Sequence, residues 1–165
     1  MRIRKDERDD SGRFSSTGGG TADTPTPREQ FAIDRAERQL YAPVADWVHR
    51  PDAAGKEAVF AAYEKLSPAD RAAYDAHVVR TFRREHDGDT AVVYRYGERG
   101  KMGGASVSTV RPSYLARDKY DAYIVHAKDV LVHYGQEDMP LSGRAFGHEK
   151  EIILRSDAAP RKIGG

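Results

Sequence analysis

The 165-residue chain contains no cysteine. Disulfide bonds, zinc–thiolate sites and cysteine nucleophiles are therefore excluded. No apolar run approaches the roughly 20 residues that a membrane-spanning helix needs. The N-terminus also lacks the apolar core of a secretory signal peptide. We therefore expect a soluble protein with no transmembrane segment, no membrane partner and no export signal of the common kind.

Neither sign of charge is in excess. The chain carries 27 Lys and Arg residues against 26 Asp and Glu residues, a formal net charge of +1. Nucleic-acid-binding domains concentrate basic residues in one segment or on one face, so the charge balance argues against nucleic acid as a partner. Charged residues make up 32% of the chain and apolar residues only 39%, so part of it should be solvated tail or exposed helix.

Composition and periodicity divide the chain into three segments. Residues 1–27 mix charges with Gly, Ser, Thr and Pro, which predicts a disordered arm. Residues 28–86 space their apolar side chains as helices do, and residues 87–165 contain short β-branched and aromatic runs. We predict an α+β fold in which N-terminal helices precede a mostly antiparallel β-sheet. The sequence leaves open whether the helices belong to the β-rich region or form a separate module.

The helical segment shows three parts. In the first, Pro43 is expected to break or kink the helix. Residues 52–66 carry a second apolar stripe. The sequence Ser67-Pro68-Ala69-Asp70 combines a capping serine, a first-turn proline and a first-turn acid, which predicts a third helix running to about His86. We expect the aromatic residues at helical spacing to pack in the core: Phe31, Trp47, Phe60, Tyr63, Tyr74 and Phe82.

After His86 the period becomes that of strands. Runs of β-branched and aromatic residues predict strands, with a short helix over residues 112–120 and a polar loop over residues 135–147. The expected strands cover residues 90–96, 105–110, 122–127, 130–134 and 148–154.

The familiar phosphate and metal motifs are absent from the sequence. The Gly100-Lys101 pair lacks both the earlier glycine and the following Ser or Thr of a P-loop. The six histidines show no tight helical pairing of metal ligands. We interpret His126 and His133, which lie in strand patterns, as surface or packing residues, and we expect no metal.

Two carboxylates precede the last aliphatic run of the chain. Glu149 and Glu151 flank Lys150 directly before Ile152. Residues two apart on a strand point to the same face, so the two carboxylates are expected to project together. By itself this pattern is that of an ordinary charged strand end that protects a sheet edge.

An arginine and two serines lie on earlier predicted strands. Arg95 is in the middle of an apolar and aromatic run, where a guanidinium needs a charged partner or an anionic ligand. Ser106 and Ser108 are two apart and therefore share a face. The order along the chain is an arginine strand, a serine strand and an acidic pair.

This order resembles the arginine–serine–glutamate class of mono-ADP-ribosyltransferases. The resemblance covers residues 88–157 and implies NAD as co-substrate, no metal, and a protein acceptor with an exposed arginine. It implies that Arg95 positions the NAD phosphates and ribose, that Ser108 or Ser106 shapes the site, and that Glu151 is catalytic. Glu149 would select arginine as the acceptor, and residues 136–147 would contact the target. The neighbours Tyr94 and Thr109 complete the candidate cofactor-binding set.

A catalytically inactive relative is the alternative. Arg95 and Ser108 are closer in sequence than is usual for the family, and the serine strand reads Ser-Val-Ser-Thr rather than Ser-Thr-Ser. Residues 10–16 resemble linkers of phage head and minor capsid proteins. The chain could then be a phage or prophage interaction module, and its location would be the cytoplasm or a virion. As an active enzyme it would be a toxin-like glycosyltransferase.

Overall fold

The computed structural model of the protein describes residues 24–49, 53–96, 102–111, 119–135, 139 and 150–164. In these residues, helices precede a six-stranded sheet in which every paired strand is antiparallel. The predicted α+β class is confirmed. The helices are α1 (Pro27–His49), α2 (Ala53–Glu64) and α3 (Pro68–His86). The strands are β1 (Thr90–Tyr96), β2 (Ser106–Ser108), β3 (Tyr120–His126), β4 (Val130–His133), β5 (Glu151–Leu154) and β6 (Arg161–Ile163).

Helix α1 begins at a capping box and continues through a proline. The backbone N–H of Glu29 donates to Thr26 Oγ1 over 3.1 Å, and the backbone N–H of Thr26 donates to Glu29 Oε1 over 2.9 Å. Of the break or kink expected at Pro43, the break is absent, because the helix runs on to His49. Buried side chains on both sides of Pro43, including Leu40 and Val44, hold the two halves against the core.

The expectation that Phe31 packs in the core was also wrong. Its side chain is 66% exposed, whereas Ile33 is fully buried. The buried stripe of α1 therefore starts at Ala32 and Ile33 and continues through Ala36 and Leu40. The other five aromatic residues expected in the core are buried or half-buried, as predicted: Trp47, Phe60, Tyr63, Tyr74 and Phe82.

Helix α3 begins and ends as the sequence predicted. Ser67 is the N-cap, and its Oγ accepts a hydrogen bond from the backbone N–H of Asp70 over 3.1 Å. Asp87 ends the helix in the left-handed conformation. Tyr74 and Phe82 are fully buried, and the hydroxyl of Tyr74 donates to the backbone carbonyl of Leu131 over 3.0 Å. Helix α3 is therefore bonded directly to the sheet.

The strands are ordered β4-β5-β2-β1-β3-β6 in the sheet. Several boundaries differ from the expected ones. Strand β2 covers only Ser106–Ser108 of the expected 105–110, β3 and β4 each end one residue early, and β5 begins at Glu151 rather than at residue 148. Tyr120 begins β3 instead of ending a helix, and residues 112–118 of that expected helix lie outside the described residues. Strand β6 was not predicted. A 3₁₀ turn over Ala127–Asp129 separates β3 from β4, where a break was expected.

One face of the sheet packs against the helices. His133 of β4 lies beside His86 of α3, which identifies the helix-facing side. His133 pairs with Ile152 and Ile152 with Val107, so these side chains share that side. Tyr94 pairs with Ser108, which alternates with Val107 along β2. Val93, which alternates with Tyr94 along β1, therefore lies on the same helix-facing side as Val107. Helices and sheet contribute to one buried cluster, so the helical segment packs on the β-rich segment rather than apart from it.

Candidate functional site

The three strands that carry the candidate residues are neighbours in the sheet. Strand β2 lies between β5 and β1. Tyr94 pairs with Ser108, and Ser108 pairs with Glu151. Directly paired residues point to the same face, so Tyr94, Ser108 and Glu151 form a row across three strands. This row lies on the sheet face opposite the helices, because Val93 and Val107 alternate with it.

A serine hydroxyl bonds the candidate catalytic carboxylate. Ser106 Oγ donates a hydrogen bond to Glu151 Oε1, and both side chains are half-buried. The prediction that Ser106 and Ser108 share a face is confirmed by their pairing with Ile153 and Glu151. Ser108 is only 4% exposed, and its Oγ donates to the backbone carbonyl of Val110 over 2.7 Å. Ser106 therefore contacts the carboxylate, while Ser108 fixes the end of β2.

The residue before Glu151 adopts a left-handed backbone conformation. Lys150 has φ 51°, a region that non-glycine residues enter at a cost of roughly 1–2 kcal/mol. Thr109 holds this turn, because its Oγ1 donates to the backbone carbonyl of Lys150 over 2.7 Å. The strand starts only at Glu151, so strand alternation gives no basis for pairing Glu149 with it. Glu149 and the predicted target loop, Met139 excepted, lie outside the described residues.

Arg95 lies on the other face of the sheet from Glu151. It alternates with Tyr94 along β1, and Tyr94 shares the face of Ser108 and Glu151. The Nη1 group of Arg95 lies 3.8 Å from the Sδ atom of the buried Met102. The register thus brings Tyr94, Ser106 and Ser108 to Glu151, and it does not bring Arg95 there.

Sequence reasoning missed a second arginine near this face. Arg111 follows β2, and its Nε donates to the hydroxyl of Tyr120 over 3.0 Å. This hydrogen bond raises the pKa of Arg111, and the Tyr94 hydroxyl adds to the effect. Tyr120 is buried and contacts the ring of Tyr94 edge-on, at 5.7 Å between centroids. The strand patterns hold no signal for this contact, because it depends on β3 lying beside β1.

The remaining expectations about ligands concern metals and membranes. Within the described parts of the chain, no group of three His, Asp or Glu side chains is arranged to hold a metal ion. No helix found there is long and apolar enough to cross a bilayer. His133 is fully buried and His126 is exposed, which confirms their interpretation as packing and surface residues.

Comparison of the chain with protein-family models, with curated proteins and with solved structures finds no match. The case for any function therefore depends on the arrangement of side chains around Glu151.

Proposed function

We propose that the protein transfers ADP-ribose from NAD to a protein arginine and releases nicotinamide. The observation that carries the proposal is the hydrogen bond from Ser106 to Glu151 on adjacent strands, with Tyr94 and Ser108 on the same face. A carboxylate held by a neighbouring hydroxyl has a fixed position, which is the requirement for stabilising charge that develops during a reaction.

The chemistry required is that of glycosidic cleavage. Breaking the bond between nicotinamide and ribose passes through an oxocarbenium-like state. In the proposal, Glu151 stabilises the positive charge on the ribose, and Ser106 orients the carboxylate. Nicotinamide leaves with the bonding electrons, and a guanidine nitrogen of the acceptor bonds to the ribose carbon. A base removes the proton of that nitrogen, and the family resemblance gives this task to Glu149.

Turnover of radiolabelled NAD with a small guanidine acceptor tests the proposal. Glu151→Gln should reduce NAD cleavage by about a hundredfold or more, because it removes the charge that stabilises the transition state. Ser106→Ala should lower kcat about tenfold with little change in KM, since a hydrogen bond to a carboxylate is lost. Ser106→Thr, which keeps the hydroxyl, should restore much of that rate.

The matched control is Glu57→Gln, an exposed carboxylate on α2, which should cleave NAD at the wild-type rate. Glu149→Gln should retain NAD hydrolysis and lose transfer to the guanidine. Absence of NAD cleavage by the wild type, or equal rates for wild type and Glu151→Gln, would contradict the proposal.

The second candidate function is that of a catalytically inactive relative that acts as a phage or prophage interaction module. The position of Arg95 on the helix-facing side favours it, because the guanidinium implied to bind the NAD phosphates is then directed away from Glu151. A ligand that prefers the native state must raise its stability. An unchanged melting temperature in millimolar NAD would therefore support this candidate over the first.

A further inference from the structure

An NAD site at Glu151 needs a cation on the same face of the sheet. The pyrophosphate of NAD is attached to the ribose whose bond to nicotinamide is cleaved, so both groups must be bound together. Anionic phosphate oxygens are recognised best by guanidinium groups, which can donate two parallel hydrogen bonds. Arg95 is separated from Glu151 by the sheet itself. The requirement therefore points to another arginine.

Arg111 is bonded to a residue on the same face of the sheet as Glu151. Tyr120, which receives its Nε hydrogen bond, lies on the same face as Tyr94, because Tyr94 pairs with Ala122, and Ala122 and Tyr120 are two apart. Neighbouring strands are about 4.8 Å apart, so Tyr94 and Glu151 are separated by roughly 10 Å across β2. Arg111 is thus anchored on the side of the row away from Glu151.

Arg111 also has the donors. A guanidinium carries five N–H groups, and the bond to Tyr120 uses one of them. Tyr120 is buried and touches the ring of Tyr94, whereas Arg111 is exposed. The anchor therefore holds the guanidinium at the protein surface by its Nε. Such an anchored fork loses less entropy on binding a phosphate than a free side chain would.

We propose that Arg111 binds the pyrophosphate of the dinucleotide, in the role that the family resemblance gives to Arg95. This inference rests on the proposed function. Tyr120 is a positioning residue, since it acts through Arg111. The dinucleotide then lies along the row of Tyr94, Ser108 and Glu151, with its pyrophosphate at the Arg111 end and its reacting ribose at Glu151.

Calorimetric titration with ADP-ribose, at low and at physiological salt, tests the assignment. Arg111→Gln should weaken binding of ADP-ribose by about tenfold to a hundredfold, because charge-assisted hydrogen bonds are lost. The loss should shrink at high salt, where the charge is screened. Arg111→Lys should recover part of the affinity, since it keeps the charge without the fork. Binding of nicotinamide riboside, which has no pyrophosphate, should be unchanged by Arg111→Gln.

Two further variants complete the test. Arg38→Gln removes an exposed arginine of α1 and should bind ADP-ribose as the wild type does. Arg95→Gln, after its fold is verified by circular dichroism, should keep wild-type affinity to within about threefold. A salt-dependent loss of ADP-ribose affinity in Arg95→Gln, with none in Arg111→Gln, would overturn the assignment.

Failure of this inference and of the proposed function give different results. If the wild type cleaves NAD in a Glu151-dependent way and Arg111→Gln has the same KM, Arg111 is not the phosphate ligand and the proposed function stands. If the wild type neither cleaves NAD nor binds ADP-ribose, both are overturned.

Discussion

Acid should weaken the contact between helix α3 and strand β4, because two histidines meet there in a way that only their neutral forms permit. The Nε2 atoms of His86 and His133 are 3.1 Å apart. The backbone N–H of Gly135 donates to His133 Nδ1 over 2.9 Å, so that nitrogen carries no proton. Neutral His133 therefore carries its proton on Nε2 and donates it to His86, whose own proton must be on Nδ1.

Protonating either ring disrupts this arrangement. A proton added to His86 Nε2 would face the proton of His133, and a proton added to His133 Nδ1 would face the N–H of Gly135. The surroundings also disfavour charge. Burial lowers the pKa of His133 to about 3, with smaller contributions from His86 and Arg84. Burial also lowers the pKa of His86; Glu85 opposes this, and Lys150 adds to it.

The sign of the pH effect follows from these directions. The pKa of His133 is lower in the folded state than its ordinary value of 6.5, so below pH 6.5 the unfolded chain binds a proton that the folded chain does not. The free energy of unfolding therefore decreases as the pH is lowered below 6.5, with a limiting slope of about 1.4 kcal/mol per pH unit for one such group. From pH 6.5 to pH 5, His133 alone should remove about 1.6 kcal/mol, because the unfolded histidine is only half protonated at pH 6.5.

Urea unfolding at a series of pH values measures this slope. His133→Asn keeps an acceptor for the Gly135 N–H and removes the titrating ring. Its unfolding free energy should be lower than that of the wild type at pH 7.5 and should fall less steeply toward pH 5. Burial also lowers the pKa of His77, to about 4, so a residual slope should remain in this variant. His49→Asn, at an exposed histidine that ends α1, serves as the matched control and should keep the wild-type slope.

Two results would refute the reasoning. Equal slopes for the wild type and His133→Asn would show that His133 does not cause the acid sensitivity. Nitrogen chemical shifts of the two imidazoles offer a direct check, because they distinguish the tautomers. A proton on Nδ1 of His133 at pH 7.5 would contradict the hydrogen-bond assignment from which the argument starts.

Three substitutions should lower the free energy of unfolding by amounts that their contacts set, each measured by urea unfolding at pH 7. Ser67→Ala removes the N-cap of α3 and should cost about 1 kcal/mol, whereas Ser67→Asp should restore most of it. Tyr74→Phe removes the buried bond to the Leu131 carbonyl and should cost about 1–3 kcal/mol; no change would show that the carbonyl finds another donor. Arg155→Met removes hydrogen bonds to Tyr63, Asp75 and the Lys128 carbonyl and should cost about 2 kcal/mol, while Arg161→Met, at an exposed arginine of β6, should cost less than about 0.5 kcal/mol.

Most helices and strands could be predicted from periodicity and caps, and the failures have physical reasons. Pro43 removes one backbone donor, but the side chains that flank it are buried, and their packing outweighs the lost bond. Phe31 was expected in the core because it falls near helical spacing with Leu40 and Val44, but the buried stripe of α1 begins at Ala32 and Ile33. Strand β6 has two exposed residues in three. Its pairing with β3 makes it a strand, and no local pattern reports that pairing.

For the candidate site, the sequence predicts which residues each strand carries but not how the strands are aligned with one another. The sequence identified the strands that carry Arg95, Ser108 and Glu151, but their relative faces depend on register, and a slip of one residue moves every side chain of a strand to the other face. A cue was nevertheless present. Val93, two residues before Arg95, is fully buried, and Val107, between the two serines, is nearly so.

If both valines face the core, Arg95 must share the core side and the serines must lie opposite. Burial alone does not place Glu151, because Ile152, Ile153 and Leu154 are all fully buried. The pairing of Glu151 with Ser108 puts it on the face of the serines, away from Arg95. Matching residues to a family's motif by chain order alone overlooks that constraint. In this chain Arg95 lies on the helix-facing side, and Arg111, whose anchor Tyr120 lies on the face of Glu151, is the arginine to which the proposed phosphate contact is assigned.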